Sequence, residues 1–503
     1  MRRRDLLQAA AGFAAARFLA AGAAQAKPGE APAGRDPFPL GVASGDPTAD
    51  GFVLWTRTPD AAGDLAVGYE VAEDEGFRRI VRRGRALAPQ ARGGAVHLEM
   101  SGLRPGRPYW YRFHLGEAVS RVGRTATAPL RPDRLRLALT SCQHWEQGWF
   151  SAYGDMIAQA PDAVLQVGDY IYEKSFGNGP DVRRFGTRDP TTLEEYRARY
   201  ALYRTDPHLA AAHAELPFVV SWDDHEVEND YGGEMGVATV DRAAFLRRRA
   251  AAYQAYFEHM PLRPSTLRAD GEARIYRRLG YGDLATLHVL DTRQYRTPGA
   301  CPDPEARGGR VLADCAAALA PEASMLGRAQ EAWLASGLRQ ERARWSLIVQ
   351  QTLFSRLFLP QGPQARYSEI WDGYAANRDR IAGALAAPQV ANAVVLGGDV
   401  HAFWVNDVGA RDGHAGPVVA TEIVTTCLAS HNGPASLFDP APRLNPHFRF
   451  LDNAHAGYAL LDLTSSRLAV DLRAVRDMRD PRSEGFSLAR FAIEDGRPGA
   501  QRA

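Results

Sequence analysis

The sequence predicts an α/β domain preceded by a small antiparallel β-sandwich. Residues 37–128 carry short β-type runs broken by turn signals. From residue 134 apolar strand-like runs alternate with helix-like stretches. Four of those runs are each followed at once by Asp, His, Tyr or Cys. The chain has 503 residues, 45% apolar and 24% charged, which suits several folded domains and excludes a disordered chain.

Residues 1–26 read as an export signal. Arg2, Arg3 and Arg4 lead into an Ala/Leu/Phe stretch that ends at Ala24-Gln25-Ala26, an A-x-A cleavage pattern. The run Arg3-Arg4-Asp5-Leu6-Leu7-Gln8 resembles the twin-arginine motif. An ordinary secretory signal with three arginines is the plainer reading. Arg17 interrupts the apolar stretch, which argues against a membrane anchor. The expected partner is the twin-arginine export machinery, and the expected location is periplasmic or secreted. Removal of 1–26 takes Arg2, Arg3, Arg4, Arg17 and Asp5 and moves the net charge from +1 to −2. A balanced charge gives no nucleic-acid-binding signature, and a soluble monomer is expected.

Residues 27–36 are Pro/Gly/Ala-rich and read as a linker. Residues 37–130 follow as the sandwich, with the runs GFVLWTR, LAVGYEVA, AVHLEMSGL and YWYRFHLG. The segment LRPGRPYWYRF, a turn feeding an aromatic strand, points to a fibronectin-like module. RTATAPLRPDR marks a boundary near residue 130.

The second domain spans 134–475. Its strand candidates are 135–140, 163–167, 217–222, 284–290, 345–350 and 391–397, followed by 417–426, 458–463 and 468–475. Helices are expected at 148–160, 191–203, 241–259, 328–340 and 374–386. Residues 476–503 are expected as a C-terminal extension, with FSLARFAI helical in pattern. Cys301 and Cys315 bracket a Pro/Gly-rich loop and form a plausible disulfide in an oxidising compartment. Cys427 reads as a small buried apolar residue.

The chemistry sits at the strand ends. Cys142 follows the run at 135–140; Asp169 and Tyr172 follow 163–167; Asp223, Asp224, His225 and Glu226 follow 217–222; Asp399 and His401 follow 391–397. Ligands of open α/β sheets collect at carboxyl ends of strands. Taken singly, Asp169 also fits a helix N-cap, Tyr172 a core ring and His401 a structural histidine. Four strand ends delivering metal-ligand chemistry together predict a shared metal site. The adjacent carboxylates of Asp223 and Asp224 repel unless a cation or partner neutralises them. Only two lysines occur, Lys27 and Lys174, so a Gly-Lys-Ser/Thr phosphate loop is excluded. There is no HExxH helix and no GxSxG elbow.

Three motifs carry a resemblance. Gly168-Asp169-x-x-Tyr172, Asp224-His225-Glu226 and Gly398-Asp399-x-His401 resemble the calcineurin-like metallophosphoesterases, and the Asp-x-x-Tyr spacing resembles their purple acid phosphatase branch. Cys142, Asp224 and Asp399 depart from that branch. With SGDPTADGFVLWTR and SWDDHEVEND, those departures resemble the PhoD-like alkaline phosphatases over nearly the whole mature chain. The resemblance implies a sandwich of two mixed sheets flanked by helices. It implies an exported phosphatase that hydrolyses phosphate monoesters, and possible diesters, through a metal-bound hydroxide. It implies Fe3+ held by Cys142, Asp169, Tyr172 and His401. Asp169 then bridges to Ca2+, which Asp224 and Asp399 also hold. Ligand chemistry agrees, because thiolate, phenolate and imidazole suit a transition metal while carboxylates suit calcium. Asn229 and Asp230 are oxygen donors for a further calcium.

His225 is the candidate for stabilising phosphoryl oxygens or assisting the leaving group, with a supporting hydrogen bond as its plainer role. Arg293 in LDTRQYR is the candidate for bidentate phosphate recognition, with a sheet-edge salt bridge as its plainer role and Asp291 as an expected partner. His144 and Trp145 are expected to line the pocket. Competing readings are a phosphodiesterase or phospholipase D-type enzyme on cell-wall polymer, nucleotide or lipid head group; a two-transition-metal acid phosphatase; and an exported calcium-stabilised binding protein.

Overall fold

The computed structural model describes residues 36–59, 63–177, 179, 181–268, 272–299, 301 and 308–503. The signal reading of 1–26 and all but one residue of the 27–36 linker lie outside the described residues.

The molecule is built on two large sheets. In the first, strands Arg134–Gln143, Ala163–Gln166 and Pro217–Val220 run parallel side by side. In the second, Ala285–Val289, Trp345–Val349 and Ala393–Gly397 do the same. These strands read as nearly unbroken apolar runs because both of their faces are covered. Leu137, Leu139, Leu165 and Val219 face inward and meet Leu287, Val289, Leu347, Val394 and Leu396 from the other sheet. The alternate residues Ala138, Val164, Phe218 and Val220 face outward into a layer that contains Tyr153, Met156, Tyr196 and Tyr256. On the far side Ile348 and Val395 pack with Leu334, Leu338, Ile381 and Leu385. The result is a sheet-on-sheet sandwich with helices on its outer faces.

Helices form where their caps and periodicity place them. Leu193–Arg204 opens with a capping box in which the Thr192 hydroxyl accepts from the Glu195 N–H and the Glu195 carboxylate accepts from the Thr192 N–H. Ala152–Gln159, Arg242–His259, Gly327–Arg339 and Ala375–Leu385 fall within one to four residues of their expected bounds. Pro207–Glu215 is an additional helix. Asp206-Pro207 reads as a chain break in sequence, yet Asp206 caps the new helix through the His208 and Leu209 N–H groups and Pro207 takes its first turn.

The N-terminal sandwich shares a layer with the first sheet. Val42–Thr48, Gly51–Arg57 and Ala95–Met100 continue that sheet, with Ser44 opposite Pro217 and Gly45 opposite Phe218. Its second layer is a five-stranded antiparallel sheet that includes Leu65–Ala72, Ile80–Ala88 and Pro108–Leu115. Val42, Phe52, Leu54, Val67, Val71, Tyr109 and Tyr111 fill the space between.

The helical reading of FSLARFAI is corrected. Gly485–Glu494 is a strand that pairs antiparallel with Arg467–Val475, and Arg497–Arg502 adds a further strand beside it. Ala489, Phe491 and Ile493 join the inter-sheet core while Arg490 faces out. A period of two thus outweighs the helix propensity of Leu and Ala in this short run. Cys301 and Cys315 are joined in a disulfide. No helix among the described residues is long and apolar enough to cross a membrane.

Replacing Phe491, 2% exposed, by Ala is expected to cost about 3–5 kcal/mol in urea unfolding. Replacing the outward Arg490 by Ala is expected to cost less than about 0.5 kcal/mol. Equal costs at both positions contradict the alternation.

Candidate metal centre

The carboxyl ends of both parallel strand sets meet at one seam. The first sheet brings Cys142, Asp169 and Asp224 to it, and the second brings Asp399 and His401. One potential ligand atom from each of Cys142, Asp169 and His401 lies within 4.8 Å of the others. The same holds for Asp169, Asp224 and His225, and for Asp169, Asp223, Asp224 and Asp399. Asp169 belongs to all three groups. Its Oδ2 lies 3.4 Å from Cys142 Sγ and 3.1 Å from the Tyr172 hydroxyl, which in turn is 3.0 Å from His401 Nε2. The structure therefore brings Cys142, Asp169, Tyr172, Asp224, His225, Asp399 and His401 together.

The backbone is bent to achieve this. Cys142, Asp169, Asp399 and His401 have φ of 57°, 53°, 67° and 53°, the left-handed region that side-chain-bearing residues enter at a cost of about 1–3 kcal/mol each. Gly168, at φ 119°, permits the closest approach: a β-carbon there would lie 2.4 Å from that of Asp223. Glu226 holds the turns in place, its carboxylate accepting the N–H groups of Asp169, Tyr170 and Asp223. Burial pushes Glu226 up to about 8 against those three bonds.

The electrostatics call for a cation. Burial, reinforced by Asp223 and Asp224, raises Asp169 and Asp399 well above the usual carboxylate range. Burial and then Asp169 likewise raise the Cys142 thiol and the Tyr172 phenol. Burial opposes ionisation of Asp224 too, yet Arg293 and His225 hold its carboxyl below its ordinary value. Asp169 Oδ1, Asp223 Oδ2 and Asp224 Oδ1 are buried without a hydrogen-bond partner. Orphaned carboxylate oxygens beside thiol, phenol and imidazole are a donor set that fits metal ions, with Cys142 and His401 in one group about Asp169 and Asp223, Asp224 and Asp399 in another.

The family model for the PhoD-like phosphatase matches residues 137–472, and that for the PhoD-like phosphatase N-terminal domain matches 22–129. The chain belongs to the PhoD-like phosphatase family. It is a phosphoesterase of the alkaline phosphatase type. Alkaline phosphatase D of Bacillus subtilis (strain 168) is 37% identical over 486 residues, 93% of this chain and 82% of that protein. A solved structure of PhoD superposes with a TM-score of 0.88 at 36% identity, over 94% of this chain and 93% of that one. Purple acid phosphatase PPD1 from yellow lupin shares the fold, with a TM-score of 0.58 at 12% identity over 90% of this chain and 73% of that one.

Several residues of this PhoD-like phosphatase make contacts that the sequence did not specify. Arg293 is fully buried among carboxylates, with its Nη2 lacking a hydrogen-bond partner. Its Nε donates to Asp223, its Nη1 to Glu369 at 3.1 Å, and its Nη2 is 3.7 Å from Asp224 Oδ1. Asp291 accepts the backbone N–H of Arg293 instead of its side chain. His144 and Trp145 are both buried. His144 is buried against Tyr172, Phe176 and Phe185 with both ring nitrogens bonded, and Trp145 donates to the Arg184 carbonyl. Asp230 donates its N–H to Asp224 and accepts from Gly309, while Asn229 gives its N–H to Glu173.

Sequence reasoning missed Glu173, Glu369 and Gln147. Glu173 accepts from His225 Nδ1 at 2.6 Å, and its place directly after Tyr172 was a usable signal. The Gln147 side chain accepts the His431 N–H, and the His431 carbonyl takes the His401 Nδ1 proton at 2.6 Å. Glu369 comes from a distant segment and carried no signal.

Gly168→Ala is expected to lower stability by about 1–3 kcal/mol and to reduce bound metal per molecule. Thermal unfolding and elemental analysis check both, and an unchanged melting temperature with full metal content contradicts the close approach.

Proposed function

We propose that this chain is an exported phosphatase that hydrolyses phosphate monoesters with Fe3+ and Ca2+. Fe3+ is assigned to Cys142, Asp169, Tyr172 and His401, and Ca2+ to Asp169, Asp224 and Asp399. The observation that carries the assignment is the sorting of donors about Asp169. Cys142 and His401 group with Asp169, Tyr172 bonds to both Asp169 and His401, and Asp223, Asp224 and Asp399 form a separate group with Asp169. The bound cations supply Lewis acidity toward water and the phosphoryl oxygens.

The chain's own groups do the rest. His401 donates its Nδ1 proton to the His431 carbonyl, which leaves the Nε2 lone pair facing Tyr172 and Asp169. His225 is held by Glu173 and packs against Tyr172, ring centroids 4.1 Å apart with the planes tilted by 32°. Burial opposes its charge, but Glu173, Asp224 and Asp169 outweigh burial and raise its pKa well above the ordinary value. An imidazolium there offers its Nε2 proton to a phosphoryl or leaving-group oxygen. Arg293 is a positioning residue that aligns Asp223 and Asp224 and offsets their charge. Export by the twin-arginine route accords with Arg3-Arg4 before the apolar stretch and with the Cys301–Cys315 disulfide.

The test joins metal content to turnover. Protein from a native-like host is expected to contain iron and to absorb visible light through thiolate and phenolate charge transfer, and Cys142→Ser is expected to shift that band. A calcium chelator is expected to abolish hydrolysis of an aryl phosphate, with added Ca2+ restoring it. Active, colourless protein without iron removes the iron assignment.

His225→Asn is expected to lower kcat by about 10²–10⁴-fold with the fold and metal content retained. Wild-type kcat in that variant rules out a proton role for His225.

A further inference from the structure

Beside the metal candidates lies a cavity of about 460 Å³ that the catalytic residues do not use. Its walls are largely apolar. Met235, Val237, Val240, Pro298 and Tyr374 line it, and Met235 and Val240 are 56% and 65% exposed. Exposed branched and thioether side chains gathered around a concavity favour an apolar occupant.

The cavity and the metal candidates share a wall. Asp230 lines the cavity and donates its N–H to Asp224 Oδ2 at 2.6 Å. Glu369 lines it and accepts from Arg293. Above them runs a two-stranded ribbon in which Val311 pairs with Tyr367. The ribbon sets Tyr367 over Gly309, where a β-carbon would lie 2.2 Å from the phenol oxygen. Burial raises the Tyr367 pKa, and Asp230, Asp399, Glu369 and Asp224 all raise it further. The phenol thus packs over Gly309, which lies in the chain between the cavity-lining residues Gly308 and Arg310.

One polar group is left over. Arg296 lines the cavity at 4% exposure, with Nε on the Thr292 carbonyl and Nη1 on Glu369. Its Nη2 is buried without a well-formed hydrogen bond, while the guanidinium lies 5.4 Å from the Tyr374 ring centroid. An unsatisfied guanidinium N–H in an apolar pocket is suited to an acceptor oxygen carried in by a ligand.

The geometry points to a subsite for the organic part of the ester: an alcohol with a bulky, mainly apolar body and an acceptor oxygen that reaches Arg296. This rests on the phosphatase reading and narrows it from phosphate esters in general to those of large apolar-bodied alcohols.

The experiment compares 4-methylumbelliferyl phosphate with glycerol 2-phosphate, using metal-replete wild type and the double variant Met235→Glu/Val240→Glu. Both positions are exposed, so the fold is expected to persist, as circular dichroism would show. The ratio of kcat/KM for the two esters is expected to fall about tenfold, mostly through the KM of the coumarin ester. An unchanged ratio overturns the subsite, whether both activities fall together or neither moves. A wild type that hydrolyses neither ester overturns the phosphatase reading itself.

Discussion

The mutual repulsion of buried acids around Asp169 organises this molecule. Asp169, Asp223, Asp224 and Asp399 bring their oxygens within 4.8 Å of one another at the seam between two sheets. At an effective dielectric of 20, two unit charges 4 Å apart repel by about 4 kcal/mol. Arg293 is the buried guanidinium that meets three of the surrounding carboxylates. Without metal, the remaining negative charge must be met by protons, and the raised pKa values of Asp169 and Asp399 express that. The left-handed turns and the clamp of Glu226 hold in place an arrangement that a cation completes.

Much of this was legible in the sequence because strand ends are legible. A buried parallel strand is a short apolar run, and the first polar residues after it must sit at the sheet's carboxyl edge. Cys142, Asp169, Asp224 and Asp399 all follow that rule. What was not legible are partners chosen by tertiary packing. Glu369 reaches Arg293 across 76 positions of sequence, and nothing in either segment announces the other. Arg293 was expected to recognise phosphate because arginine suits phosphate; that it also meets Asp223, Asp224 and Glu369 depends on geometry that local sequence does not encode. FSLARFAI failed for a different reason, since its sheet neighbours, not its propensity, determine its conformation.

Support of the site follows a common pattern. Both imidazoles that face the seam are fixed from behind: His401 by the His431 carbonyl and His225 by Glu173. At His401 this leaves the lone pair on Nε2, whereas at His225, against burial, the carboxylate favours the protonated ring. The same economy extends to Gln147, which anchors His431 in turn.

The first sheet gathers strands from both ends of the described chain, Val42–Thr48 on one flank and Gly485–Glu494 on the other. A nascent chain on the ribosome therefore lacks one border of its central sheet until residues 485–502 emerge. Completion of the sheet is thus governed by long-range pairing, which is slow. During that interval the strand Arg467–Val475 is a bare edge open to intermolecular association, a window in which chaperone protection has a physical purpose.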